Sequence, residues 1–107
     1  MSNEQDYTVK LTLAAEADLD EIYSYISDTL LVPQTAANII GEIEEKIFSL
    51  ETLPYKFALS RIEALALKGY RTLIVKNYAA PYLIDEDSHI VTIVRVFHGS
   101  MNYQNYL

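Results

Sequence analysis

The sequence predicts an α+β fold in the order βααβββ, a twisted antiparallel sheet with a helical hairpin packed on one face. Three observations carry that prediction. Two stretches, 14–31 and 34–51, place apolar residues at helical spacing and are joined by a short connection at Pro33. After Gly69 the period changes, and three segments alternate or run together in apolar residues as strands do. The joins between those segments are short, which suits antiparallel neighbours. With 107 residues, half of them apolar, the chain is expected to form one domain, 1–107, around one two-layer core.

The elements follow in order. "DYTVKLTL" alternates Tyr7, Val9, Leu11 and Leu13 against polar partners, as in a half-buried strand. "AAEADLDEIYSYISDTLL" sets Leu19, Ile22, Tyr23, Ile26 and Leu30 along one helical stripe. Its acids Glu16, Asp18, Asp20 and Glu21 crowd the first turns, where the helix dipole favours negative charge. Pro33 suits the first turn of a second helix, in which Ala36, Ile40, Ile43, Ile47 and Leu50 step by four and three until Pro54 stops it. A linker with one helical turn around 62–67 leads to the strands "YRTLIVKNY", "APYLIDE" and "HIVTIVRVF", the last two joined by the turn "DEDSH". Pro81 lacks a donor and is expected at a bulge or facing away from the ladder. The last strand, apolar at nearly every position except Arg95, is expected to be central.

Composition narrows function. No apolar run nears the roughly 20 residues of a membrane span, and the N-terminus lacks a signal-peptide pattern. Cysteine is absent, so no disulfide scaffold or thiol nucleophile is available, and a cytoplasmic location is expected. With only His89 and His98 as histidines, neither a metal site nor a cofactor is expected. The net charge is −7, but it is divided: residues 14–51 hold nine acids and one base, whereas 55–84 hold five bases (Lys56, Arg61, Lys68, Arg71, Lys76) and one acid, Glu63. The second half can therefore meet a polyanion that the first half repels. Nine tyrosines are too many for the core, and residues such as Tyr82 are expected under a bound partner.

The ordered set "DLDEIYSYI", "IFSLETLP", "GYRTLIVKNY", "YLID" and "IVRVFHG" resembles the RelE/ParE toxins of bacterial type II toxin–antitoxin modules, over about residues 7–104. The resemblance implies a cognate antitoxin that neutralises the toxin, a hetero-oligomer of the two, and a role of the plasmid-stabilisation kind. It implies one of two activities: ribosome-dependent mRNA cleavage by an endoribonuclease (an mRNA interferase blocking translation), or poisoning of DNA gyrase. Cleaving RNA through its own 2′-hydroxyl needs a base, a cation for the phosphorane and an acid for the leaving oxygen. The family's distribution of those roles points to His98, Arg71, Lys76 and Tyr103. Arg61, Lys68, Tyr82 and Arg95 are the matching candidates for RNA or partner binding, with a salt bridge to a helix acid the plainer expectation for Arg95.

The chain also departs from the family pattern. Ala79 and Leu83 stand where basic or bulky residues are common, and Ser100 and Met101 where two arginines are frequent. Each missing cation removes transition-state stabilisation on the order of 3 kcal/mol, about 100-fold in rate. The mRNA-cleaving activity leads the expectations, with gyrase poisoning through protein binding, or a degenerate toxin that only binds its antitoxin, as the alternatives.

Overall fold

The computed structural model describes residues 6–99 and 106–107. Strand β1 (Thr8–Leu11) passes through Thr12 into helix α1 (Leu13–Ser24). The Thr12 hydroxyl accepts the Ala15 N–H at 3.0 Å and donates to the Val94 carbonyl at 2.7 Å, so the cap that starts the helix also fixes it to the sheet. α1 widens into a π-helical turn, Tyr25–Thr29, and the chain reverses through Leu31, whose φ is 58°. α2 (Pro33–Phe48) opens on proline, whose missing N–H costs nothing in a first turn, and closes in the 3₁₀ turn Ser49–Glu51.

The rest of the chain builds the sheet. The short helix α3 (Glu63–Leu67) is the turn expected around 62–67. Strands β2 (Arg71–Val75), β3 (Tyr78–Asp85) and β4 (Ile90–Ile93) form the expected antiparallel meander, and β5 (Phe97–His98) pairs with β3. Leu59 adds an antiparallel bridge to Arg71 at the far edge. The sheet order is β1-β4-β3-β2. β1 runs parallel to β4, Thr8 opposite Ile90 and Leu11 opposite Ile93, so the sheet is mixed rather than wholly antiparallel. The helical hairpin carries the chain across one face, which lets the first strand fill the edge beside the fourth.

The expected final strand is divided. Tyr82 pairs with Ile93 but Ala79 pairs with Phe97, so Val94–Val96 oppose only Ala80 and Pro81: a one-residue bulge. It falls where Pro81 offers no donor. The Pro81 carbonyl accepts the Val94 N–H at 3.0 Å, while the Val96 N–H turns away to Asp18.

Leu73 and Val75 of β2, Ala80 and Tyr82 of β3, and Val91 and Ile93 of β4 face the helices and meet Ala15, Leu19, Ile43, Ile47 and Leu50. Each fully buried aliphatic side chain contributes about 1.5–3 kcal/mol. The second sheet face carries Thr72 and Ile74, Ala79, Pro81 and Leu83, Ile90 and Thr92, Thr8 and Lys10. Strand alternation puts Arg71 on the helix-covered side with Leu73 and Val75, so the second side is mostly apolar, and Ala79 and Pro81 on it are buried. Among the described residues no helix is long and apolar enough to cross a membrane.

Candidate functional site

The β2–β3 hairpin turns on two residues, Lys76 and Asn77, between the paired Val75 and Tyr78. Lys76 has φ of 50°, a left-handed conformation that costs a side-chain-bearing residue energy and is usually left to glycine. β5 lies alongside, with His98 opposite Tyr78 and their rings edge to face at 5.7 Å. The Gly99 N–H donates to the Asn77 carbonyl. A Cβ on residue 99 would lie 3.0 Å from that oxygen, a tight contact that glycine avoids. This crossing brings Lys76 and His98 to one end of the sheet.

His98 borders two concavities. One, about 430 Å³, is lined by Ile74, Lys76, Asn77 and Gly99 among others. The other, about 650 Å³, lies toward α1 and its π-turn, with Ile22, Tyr25, Leu30 and Tyr78 in its wall. The abundance of tyrosine in the sequence signals Tyr25 and Tyr78 only as surface aromatics, and nothing in the sequence marks Leu30. Burial, and secondarily the nearby Tyr25, raises the Tyr78 pKa above the ordinary tyrosine value, so its hydroxyl stays a neutral donor at physiological pH. Lys76 Nζ stands 3.7 Å from Glu42 Oε1 on α2, an exposed pair worth little in stability.

The other sequence candidates go elsewhere. Arg71 starts the strand that Lys76 follows, roughly 16 Å away at 3.3 Å per residue. Its Nη1 donates to the Phe57 carbonyl at 2.7 Å and its guanidinium covers the Tyr55 ring at 4.8 Å. It is therefore not assembled with Lys76 and His98. Phe57 and Tyr55 hold it in place. Tyr82, expected under a partner, is instead fully buried with its hydroxyl donating to the Pro54 carbonyl at 2.7 Å. Its central position on β3 turns it into the core.

Arg95 makes the expected salt bridge: Nε and Nη2 reach Asp18 at 2.7 and 2.9 Å, and the guanidinium lies 4.8 Å from the Phe97 ring. That fork occupies it, so it is not an open binding cation. Arg61 and Lys68 are exposed. Arg61 borders a groove of about 460 Å³ with Phe57, Leu59, Ile62, Thr72 and Ile74, on the second sheet face. Tyr103, Ser100 and Met101 lie outside the described residues. Among the described residues no three His, Asp or Glu side chains are grouped to hold a metal ion.

Comparison with known proteins places this geometry. Residues 9–103 match the family model described as the ParE toxin of the type II toxin–antitoxin system parDE. The chain is similar to a solved structure of the chromosomal ParDE toxin–antitoxin system from P. aeruginosa, with 25% identity, a TM-score of 0.72, and coverage of 89% of this chain and 98% of that one. It is also similar to a chain in the toxin–antitoxin complex RelBE2 from Mycobacterium tuberculosis, with 27% identity, a TM-score of 0.61, and coverage of 89% and 93%. No curated protein matches it significantly.

Proposed function

The chain belongs to the ParE toxin family of type II toxin–antitoxin systems, and from that premise we propose that it arrests growth by binding DNA gyrase through protein surface rather than by cutting RNA. The observation that carries this reading is the separation of its cations. Arg71 is held beneath the linker by Phe57 and Tyr55, and Arg95 is held by Asp18, so neither stands beside Lys76 and His98. A nuclease needs its charge stabilisation preorganised around one phosphate. A binding toxin needs only a surface of complementary shape, and this chain exposes Leu59 and Ile74 along one groove.

The chain acts in the cytoplasm with a cognate antitoxin as its inhibitor. The groove beside Arg61, close to the exposed Leu59 and Tyr55 in the basic half, suits an acidic antitoxin segment with apolar anchors. Ribosome-dependent mRNA cleavage is the second reading, favoured by one observation: Lys76, His98 and Tyr78 line the same depression, which supplies a cation, an imidazole and a neutral hydroxyl. Inducing the chain without an antitoxin separates the two. Gyrase-linked DNA breaks with full-length transcripts are the expected result. Transcripts cut on the ribosome with intact DNA would overturn the binding reading.

A further inference from the structure

The larger of the two concavities beside His98 gathers polar groups that the fold leaves unused. Glu21, Tyr25 and Tyr78 all line it. Among the described residues the Glu21 carboxylate makes no ion pair, and neither tyrosine hydroxyl makes a hydrogen bond. Arg95 lies near enough for Glu21 to add to its raised pKa, but Asp18 is the main cause and already holds it in a two-bond fork. Tyr78, kept neutral first by burial and then by the nearness of Tyr25, shares the site with that second ring. Two electron-rich rings beside one unpaired carboxylate make a site for a cation.

Local backbone adds an independent observation. α1 widens at Tyr25–Thr29, where the Leu30 N–H donates to the Tyr25 carbonyl five residues back at 3.0 Å. Such π-turns are rare and are frequent at functional sites. Tyr25 and Leu30 are 56% and 52% exposed, and Leu31, next in the chain, is 76% exposed at a φ of 58°. Burial in the core does not explain a leucine held in this left-handed conformation. Contact with another protein would explain it.

The chemistry selects the occupant. A guanidinium stacks flat on tyrosine rings and forks onto a carboxylate, which a compact ammonium does less well. A nucleobase would stack too, but Asp18, Asp20 and Glu21 on α1 repel its phosphate. The exposed apolar residues at the edge favour an arginine carried by a protein over a free guanidinium compound, because such neighbours shield a central polar contact from water. We propose that the concavity between the π-turn and β5 takes an arginine side chain of a partner protein, with its guanidinium on Glu21 and against the Tyr25 and Tyr78 rings, and its apolar neighbours on Leu30 and Leu31. The site shares no lining residue with the groove beside Arg61. It does not depend on which target the toxin poisons.

The test titrates the full chain, followed by NMR of its tyrosine rings, with an end-blocked peptide of one arginine between two leucines. The same peptide carrying lysine, or citrulline as the uncharged counterpart of arginine, serves for comparison, beside N-acetylarginine amide and adenosine monophosphate. The arginine peptide is expected to shift the Tyr25 and Tyr78 ring signals. The expected order of affinity is arginine, then lysine, then citrulline, with at least about tenfold between first and last. Glu21→Gln is expected to weaken the arginine peptide at least about tenfold and Tyr25→Leu at least about fivefold. Both side chains are exposed, so the melting temperature of each variant should hold. Any other order, no binding of the arginine peptide, or indifference to either substitution would overturn the proposal. So would tighter binding of the nucleotide, which would make this a base-stacking pocket. N-acetylarginine amide binding as tightly as the peptide would overturn it too, giving the site to a small guanidinium compound.

Discussion

Asp18 and Arg95 are joined by a two-bond fork, Nε to Oδ2 at 2.7 Å and Nη2 to Oδ1 at 2.9 Å, and the same Oδ2 accepts the Val96 N–H at 2.9 Å. One carboxylate thereby ties the middle of α1 to the bulge between β4 and β5. The bonded carboxylate also raises the Arg95 pKa further, so the guanidinium stays charged at any pH the fold survives. Asp18→Ala leaves a partly buried guanidinium and a backbone N–H without their acceptor, and is expected to cost on the order of 2–4 kcal/mol. Arg95→Met keeps the apolar stem and is expected to cost less. Urea unfolding of the two variants checks the order; equal losses would mean that the fork, not the stranded charge, sets the cost.

Tyr82 gives the fold an alkaline limit. Burial is the main cause that raises its pKa, opposed in part by a backbone hydrogen bond and by Arg71. A neutral phenol is favoured in the folded state, so the raised folded pKa contributes stability that is complete below the unfolded tyrosine value of about 10 and is lost as pH rises through the folded value. Tyr82→Phe is expected to flatten this fall above about pH 10 and to cost about 1–3 kcal/mol at neutral pH, because the Pro54 carbonyl loses its donor. Denaturation midpoints followed from neutral to strongly alkaline pH supply both numbers.

Lys76 is strained where it stands. Its φ of 50° and its distant, exposed partner Glu42 mean that the backbone loses more than the ion pair returns. Lys76→Gly is expected to raise stability by about 1 kcal/mol. Lys76→Ala, which removes the charge but keeps the Cβ, is expected to leave stability nearly unchanged. A thermal melt in which glycine is no better than alanine would show that the turn carries no strain.

Much of the frame was legible in the sequence because its signals are local. The helical stripes, Pro33, Pro54 and the short joins fix the hairpin and the meander, and Pro81 marks the bulge. Arg95 among apolar neighbours, with a surplus of acids on α1, pointed to its ion pair. The site was less legible because it depends on which sheet face the helices cover. Alternation grouped Arg71 with Leu73 and Val75 but could not say that this group was the buried one. Nor could it show that Asp18 captures the Val96 N–H and so cuts the last strand in two, or that β1 pairs beside β4, since both join positions some 80 residues apart in sequence.

The sharpest functional prediction concerns Lys76 and His98 together. Both are exposed and neither lies in the core, so the double variant Lys76→Ala/His98→Ala is expected to fold. If the chain cleaves RNA, these are the cation and the imidazole at one end of the sheet, and losing both should reduce toxicity by at least about 100-fold. If it grips gyrase through apolar surface, the loss should be within a few-fold, because truncating two peripheral polar groups removes little binding energy. Arg71→Ala serves as the structural counterpart: freeing the Phe57 carbonyl and the Tyr55 ring is expected to cost about 1–2 kcal/mol in stability and to reduce toxicity only as folded protein is lost. Growth curves after graded induction, read beside the amount of soluble toxin, separate these cases. Toxicity kept by the double variant and lost in proportion to folded protein by Arg71→Ala is the pattern expected of a binding toxin, and collapse of the double variant at full solubility would return the chain to the nucleases.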